Sequence, residues 1–247
     1  MPKKDSQSIR DSGGLRAFYE RLYSQTVPWD PQNPMYSEDP EEARRTQIYA
    51  ELLQSARCGP LIDVGCGSGR QMAVLSEVCA HSTVIGADLS LEQARRARQT
   101  APSAAVVVAS STDLPFRQGS FTHTLCAEVL EHQPQPELTL ASLRRILAPG
   151  GTLVVSTPYR ERIRHVVCIH CGNITPLSGH LHSFAEGDMK DMLDRAGFRT
   201  QLVQGRVRAR KLFTRLPYAL WKGVQCLLKL AGAKPKSLVA VALRSAD

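Results

Sequence analysis

Three groups of side chains in this sequence have the types and spacing that chemistry requires. The first is Asp63-Val64-Gly65-Cys66-Gly67-Ser68-Gly69. A Gly-rich turn lets a ligand approach the backbone with no Cβ in the way. A dinucleotide-binding turn would need its third glycine where Gln71 stands. The spacing here is G-x-G-x-G with an acid two residues ahead, which suits a ligand with a cationic end and no pyrophosphate. Asp88 follows Gly69 by roughly 20 residues, the interval at which open α/β folds place a carboxylate on a ribose hydroxyl pair. Its alternative is a capping Asp ahead of Ser90.

The second group is Glu128, Glu131 and His132. Two carboxylates and an imidazole this close can hold a hard or borderline divalent cation such as Mg or Zn, leaving positions open for substrate oxygens. Such an ion would lower the pKa of an acceptor hydroxyl and orient it. The alternative is a polar rim without metal. The third group is Cys168 and Cys171, followed by His180 and His182, a set that can supply four tetrahedral zinc ligands. Read otherwise, it is an inert thiol pair or a redox pair.

These groups need a scaffold, and the hydrophobic pattern predicts one. Residues 61–64, 83–87, 105–109, 122–126 and 152–156 read as buried strands, and 71–79, 91–100 and 136–147 as helices between them. Ser90 is a plausible N-cap, and Pro149-Gly150-Gly151 stops the third helix. Strand and helix in alternation imply a Rossmann-like, doubly wound α/β fold with a mostly parallel seven-stranded sheet. Residues 1–57 read as an N-terminal helical cap, with helices over 15–23 and 40–56, and 58–247 as the main domain. That domain ends with a helix over 186–196 and strands over 198–203 and 238–243. Two insertions precede its last strands: the Cys/His segment 158–183 and a basic amphipathic segment 205–236.

The formal charge is +8, and from Arg195 to Ala246 there is no acidic residue. That basic third could face nucleic acid, anionic lipid or a phosphorylated substrate, or be a solvated surface. Residues 212–230 mix leucines with Arg215, Lys222 and Lys229, the pattern of an interfacial helix starting near Pro217 or of a buried one. No apolar run approaches the ~20 residues that span a bilayer, and the N-terminal dozen lack an apolar core. The expected location is the cytoplasm, with peripheral membrane contact through 212–230.

Residues 61–70, 84–90, Asp113-Leu114-Pro115-Phe116, 121–132 and 147–158 together resemble the motif series of class I S-adenosylmethionine-dependent methyltransferases. Within that family the chain is similar to the type 11 group containing ubiquinone-biosynthesis O-methyltransferases, chiefly through Glu128-Val129-Leu130-Glu131-His132. The resemblance implies that Asp63, Gly65, Cys66, Gly67 and Gly69 surround the amino-acid end of S-adenosylmethionine, that Asp88 binds its ribose and that Leu89 packs on its adenine. One departure is Ser110, where the family commonly has an Asp facing the adenine amino group; backbone near Ser111 is then expected to carry that contact. Small-RNA 2′-O-methyltransferases carry a similar E-x-x-E-H with a downstream His, which here matches His180 and completes a metal set of Glu128, Glu131, His132 and His180. The same three residues, Glu128, Glu131 and His132, are the expected catalytic group. A hydroxyl of a small or lipid-like molecule is the implied acceptor, with the RNA ribose as the alternative.

Overall fold

The structure is a computed structural model that describes residues 17, 40–54, 59–79, 82–168, 172–207 and 218–245. The first described helix, α1, spans Pro40–Gln54. After it come β1 (Leu61–Val64), α2 (Arg70–Val78), β2 (Val84–Asp88), α3 (Leu91–Thr100), β3 (Ala105–Val108) and β4 (Phe121–Ala127). The chain continues through a 3-10 turn (Leu130–His132), α4 (Pro136–Ile146), β5 (Leu147–Pro158), a hairpin of β6 (His165–Val167) and β7 (Ile174–Pro176), and α5 (Glu186–Arg195). It ends with β8 (Phe198–Val207), α6 (Tyr218–Leu230) and β9 (Pro235–Arg244).

Seven strands form one sheet in the order β3-β2-β1-β4-β5-β9-β8, and β9 alone runs against its neighbours. The order reverses between β1 and β4, which opens a crevice at their C-terminal ends, where ligands bind in open α/β sheets. All four residues of β1 are buried because helices cover both faces. Successive residues point to opposite faces. Ile62 and Val64 pack with Leu140, Leu143 and Phe184 on one side, while Leu61 packs with Ile48, Tyr49, Met72 and Leu75 on the other. The helix α1 is thus built into the second core layer.

Several expected boundaries move. The expected cap is described only as α1, since helix 15–23 lies outside the described residues apart from helical Ala17. β8 runs on to Val207 and β9 starts at Pro235, so the segment between them is shorter than 205–236. Gly205 and Arg206 pair with Leu238 and Ser237 through backbone bonds, which an apolar pattern does not report. Gln225 docks α6 by bonding both the N–H and the C=O of Val207, at 3.0 and 2.6 Å. Leu220, Leu227 and Leu230 on that helix stay exposed. Among the described residues no helix is long and apolar enough to cross a membrane.

Candidate active site

The turns after β1, β2, β3 and β4 line one cleft of about 650 Å³, its open mouth included. Gly65, Gly67, Asp88, Leu89 and Ser111 lie on its wall, joined by Ser110, Glu128 and His132. The glycine turn is pinned from below: the N–H groups of Gly65 and Cys66 donate to the Ala87 carbonyl at 2.7 and 3.1 Å. Asp88 ties β2 to that turn, its two carboxylate oxygens accepting from the N–H groups of Gly67 (2.9 Å) and Ser90 (2.8 Å). Ser90 also caps α3, accepting from Gln93 N–H as its sequence position implied. Gly67 has φ 51° and open space where a Cβ would sit, so the backbone itself faces the cleft. Gly69, with φ 84°, serves packing instead. A Cβ there would stand 2.7 Å from the Ala97 Cα, so its absence lets α2 and α3 close together.

Two expected cofactor residues are placed differently from the rest. The Cys66 side chain packs in the core with Met72 instead of lining the cleft. Burial pushes its thiol far up, and it stays protonated. Asp63 is wholly buried under the turn and neither carboxylate oxygen has a hydrogen-bond partner. Burial, and then the Asp88 charge, push its carboxyl up to about 7. A buried carboxylate left unpartnered fits a cationic ligand group such as the ammonium of S-adenosylmethionine. On the adenine side, the Ser111 hydroxyl bonds Thr139 Oγ1 at 3.0 Å, and that of Ser110 bonds Thr112 Oγ1 at 2.8 Å.

The other wall is the acidic turn after β4. Glu131, His132 and His180 bring one ligand atom each to within 4.8 Å of one another. Glu131 is 1% exposed with neither carboxylate oxygen bonded, and burial, then Glu128, push its carboxyl well above the usual range. The His132 Nδ1 faces the Gly179 carbonyl at 3.2 Å, and the His180 Nδ1 meets the Glu161 carboxylate. In its pairing the neutral His132 ring donates from Nδ1 and carries its lone pair on Nε2, the state in which imidazole ligates metal. Burial, then His180, lower His132 to about 4, so it is neutral at pH 7. These residues fit a divalent ion.

Glu128, expected as a fourth ligand, is outside that group. Its carboxylate accepts from the Ser156 hydroxyl at 2.8 Å and lies 3.6 Å from Arg45. The alternative zinc set is not assembled among the described residues. Cys171 lies outside them, His180 is turned to Glu161 and His132, and the His182 Nε2 bonds the Gln133 carbonyl at 2.8 Å. Residues 179–182 are stitched instead to the acidic turn, with the N–H groups of Leu181 and His182 donating to the Glu131 carbonyl. Glu161, Arg45 and Tyr49 were not readable as site residues, since none sits in a motif, and Ser156, within the 147–158 segment, has nothing local that links it to the acidic turn.

With this geometry in place the class of the core follows. Residues 62–155 match the methyltransferase domain family. That stretch, about two fifths of the chain, carries β2 to β4 with most of β1 and β5 of the Rossmann-like sheet described above. The chain is 36% identical over 138 residues to the ubiquinone biosynthesis O-methyltransferase of Xanthomonas oryzae pv. oryzae, covering 52% of this chain and 55% of that protein. It is 38% identical over 115 residues to an uncharacterized 37.1 kDa protein in transposon TN4556 of Streptomyces fradiae, covering 45% of this chain and 33% of that one. The chain thus spans about half or less of the length of these relatives. Among solved structures it is similar to the 1,6-didemethyltoxoflavin-N1-methyltransferase of Burkholderia thailandensis with bound S-adenosylhomocysteine (TM-score 0.65, 19% identity, 100% of this chain and 94% of that one). It is equally close in fold to the [4+2]-cyclase SpnF (TM-score 0.66, 17% identity, 96% and 97%), so fold alone does not name the reaction.

Proposed function

We propose that the chain is an S-adenosylmethionine-dependent methyltransferase acting on a hydroxyl of a small or lipid-like molecule. One observation carries the reading. A single cleft has the glycine turn and Asp88 on one wall and Glu128 and His132 on the other, with the unpartnered carboxylate of Glu131 behind them. The similarity to a ubiquinone biosynthesis O-methyltransferase supports oxygen as the acceptor atom, and exposed Leu220, Leu227 and Leu230 support contact with a lipid phase.

S-Adenosylmethionine supplies an activated methyl group. Asp88 would hold its ribose and Asp63, beneath the glycine turn, would face its ammonium, which would set the methyl group in line with the acceptor oxygen. Glu128 would take the hydroxyl proton as the methyl group passes to that oxygen and its former bonding pair stays on sulfur. A divalent ion, held by Glu131, His132 and His180, would acidify and orient that hydroxyl. Glu161 and the Gly179 carbonyl fix the two imidazoles for that purpose.

The test is incubation of the purified protein with methyl-labelled cofactor and, in separate arms, 3,4-dihydroxybenzoate, a prenylated catechol in vesicles, and RNA. Label in a catechol methyl ether is expected. Label confined to RNA would instead favour ribose methylation, the reading supported by the acid-free stretch from Arg195 to Ala246. Asp88→Ala should weaken cofactor binding at least tenfold, ~1.4 kcal/mol. A wild-type protein that binds no S-adenosylmethionine in calorimetry overturns the proposal.

A further inference from the structure

The groups that hold Glu128 include two from α1, outside the segment that matches methyltransferase domains. Glu128 leaves β4 with φ 55°, a left-handed conformation that residues other than glycine rarely adopt. Such strain persists only where the surroundings over-determine it. Here its N–H donates to the Ser156 carbonyl at 2.9 Å, and the Ser156 hydroxyl donates to Oε1 at 2.8 Å. Arg45 reaches Oε2 at 3.6 Å.

The direction of the hydroxyl chain follows from proton counting. A carboxylate only accepts, so the single hydroxyl proton of Ser156 goes to Glu128. The Ser156 oxygen must then accept from the Tyr49 hydroxyl, 2.6 Å away. Tyr49 and Ser156 are wholly buried, and burial followed by the Glu128 charge raises the Tyr49 phenol, so it remains a donor at every working pH. A one-way chain of hydrogen bonds therefore runs from α1 through β5 into the cleft wall.

We infer that Tyr49 and Ser156, assisted by Arg45, are positioning residues that aim the Glu128 carboxylate at the acceptor hydroxyl, which makes α1 a working part of the acceptor site. What Glu128 does once aimed rests on the methyltransferase reading; how it is held does not. Ser156 engages Oε1 and Arg45 approaches Oε2 at 3.6 Å, so both oxygens are held from the side of β5 and α1.

The experiment compares wild type, Tyr49→Phe, Ser156→Ala and the double variant in methyl transfer to 3,4-dihydroxybenzoate, and crystallises all four. Ser156→Ala should lower kcat roughly tenfold, the loss of the charge-assisted hydrogen bond to Glu128, and Tyr49→Phe, which removes only the neutral bond behind it, roughly threefold, both leaving the KM for S-adenosylmethionine unchanged. Because the two hydroxyls act in series, the double variant should be no slower than Ser156→Ala. A merely structural role would lower thermal stability in step with kcat and multiply the two losses. In the crystals of the variants the Glu128 side chain should leave its place in the cleft. A Glu128 carboxylate unmoved in both Tyr49→Phe and Ser156→Ala overturns the inference, as do multiplied losses in the double variant. A wild-type protein that methylates nothing overturns the methyltransferase reading, and the crystals then decide the relay by themselves.

Discussion

Asn in place of Asp63 keeps the shape of the side chain and removes its charge, and the consequences for stability and for binding have opposite signs. Asp63 is pushed up to about 7 from an ordinary 3.8. At about 1.4 kcal/mol per pH unit that difference amounts to about 4 kcal/mol. A raised carboxyl holds its proton in the folded chain after the unfolded chain has lost it. Its contribution is therefore complete below pH 3.8 and disappears as pH rises through 7. Urea unfolding of the ligand-free proteins should thus show curves that coincide near pH 4 and separate upward, with the Asn variant ahead by about 4 kcal/mol at pH 8. S-Adenosylhomocysteine, which retains the ammonium, should reverse the ranking. Its binding should release a proton from wild type below pH 7, seen as a dependence of calorimetric heat on buffer ionisation enthalpy. The variant should bind at least tenfold more weakly, ~1.4 kcal/mol, with no such dependence. Parallel unfolding curves, together with equal affinities, would refute the placement of a lone buried carboxylate beneath the glycine turn.

Two further outcomes follow from the same wall. Gly69→Ala should destabilise the protein by about 2–4 kcal/mol in denaturant titration, combining left-handed strain with a Cβ pressed on Ala97, while Gly67→Ala should cost only the first of these. His132, lowered to about 4 from 6.5, stays neutral in the folded chain while the unfolded chain takes up a proton; its stability is complete above pH 6.5 and is lost as pH falls through 4. Chelator-treated protein should lose about 3 kcal/mol over that interval, and His132→Gln should flatten this limb of the unfolding curve.

The sheet was legible because each buried strand carries its own apolar run and each turn its own glycine or cap, signals confined to a few neighbouring residues. The residues that line the cleft at Gly67, Asp88, Leu89, Glu128 and His132 were marked in the same local way. What the sequence could not convey is which way a motif residue points. Cys66 sits inside the glycine motif yet packs in the core with Met72. The acidic turn reads as one ligand set, but the left-handed backbone at Glu128 swings that carboxylate to Ser156 and Arg45 and leaves Glu131 with the histidines. Tyr49 and Glu161 were hidden for another reason. Their roles depend on contacts across 107 and 19 residues of chain, and an isolated Tyr or Glu has no local pattern that marks it.

Asp63 and Glu131 together say more than either alone. A fold rarely leaves a buried carboxylate without a partner, since each costs stability that ordinary packing would recover. Among the described residues this one leaves two, on β1 and just after β4, the adjacent strands between which the strand order reverses. Burial, and after it the charges of Glu131 and Asp63, raise the thiol of Cys126. Two separate acids call for two separate cations, and the two candidates differ in what they release. The ammonium of the cofactor would displace a proton from Asp63 alone, and a divalent ion would displace one from Glu131 alone. Proton release measured as each ligand is added to the other's complex should therefore be additive. Should saturation with one ligand abolish the release caused by the other, the two carboxylates share a single proton, and the division of the cleft into a cofactor end and an acceptor end is wrong.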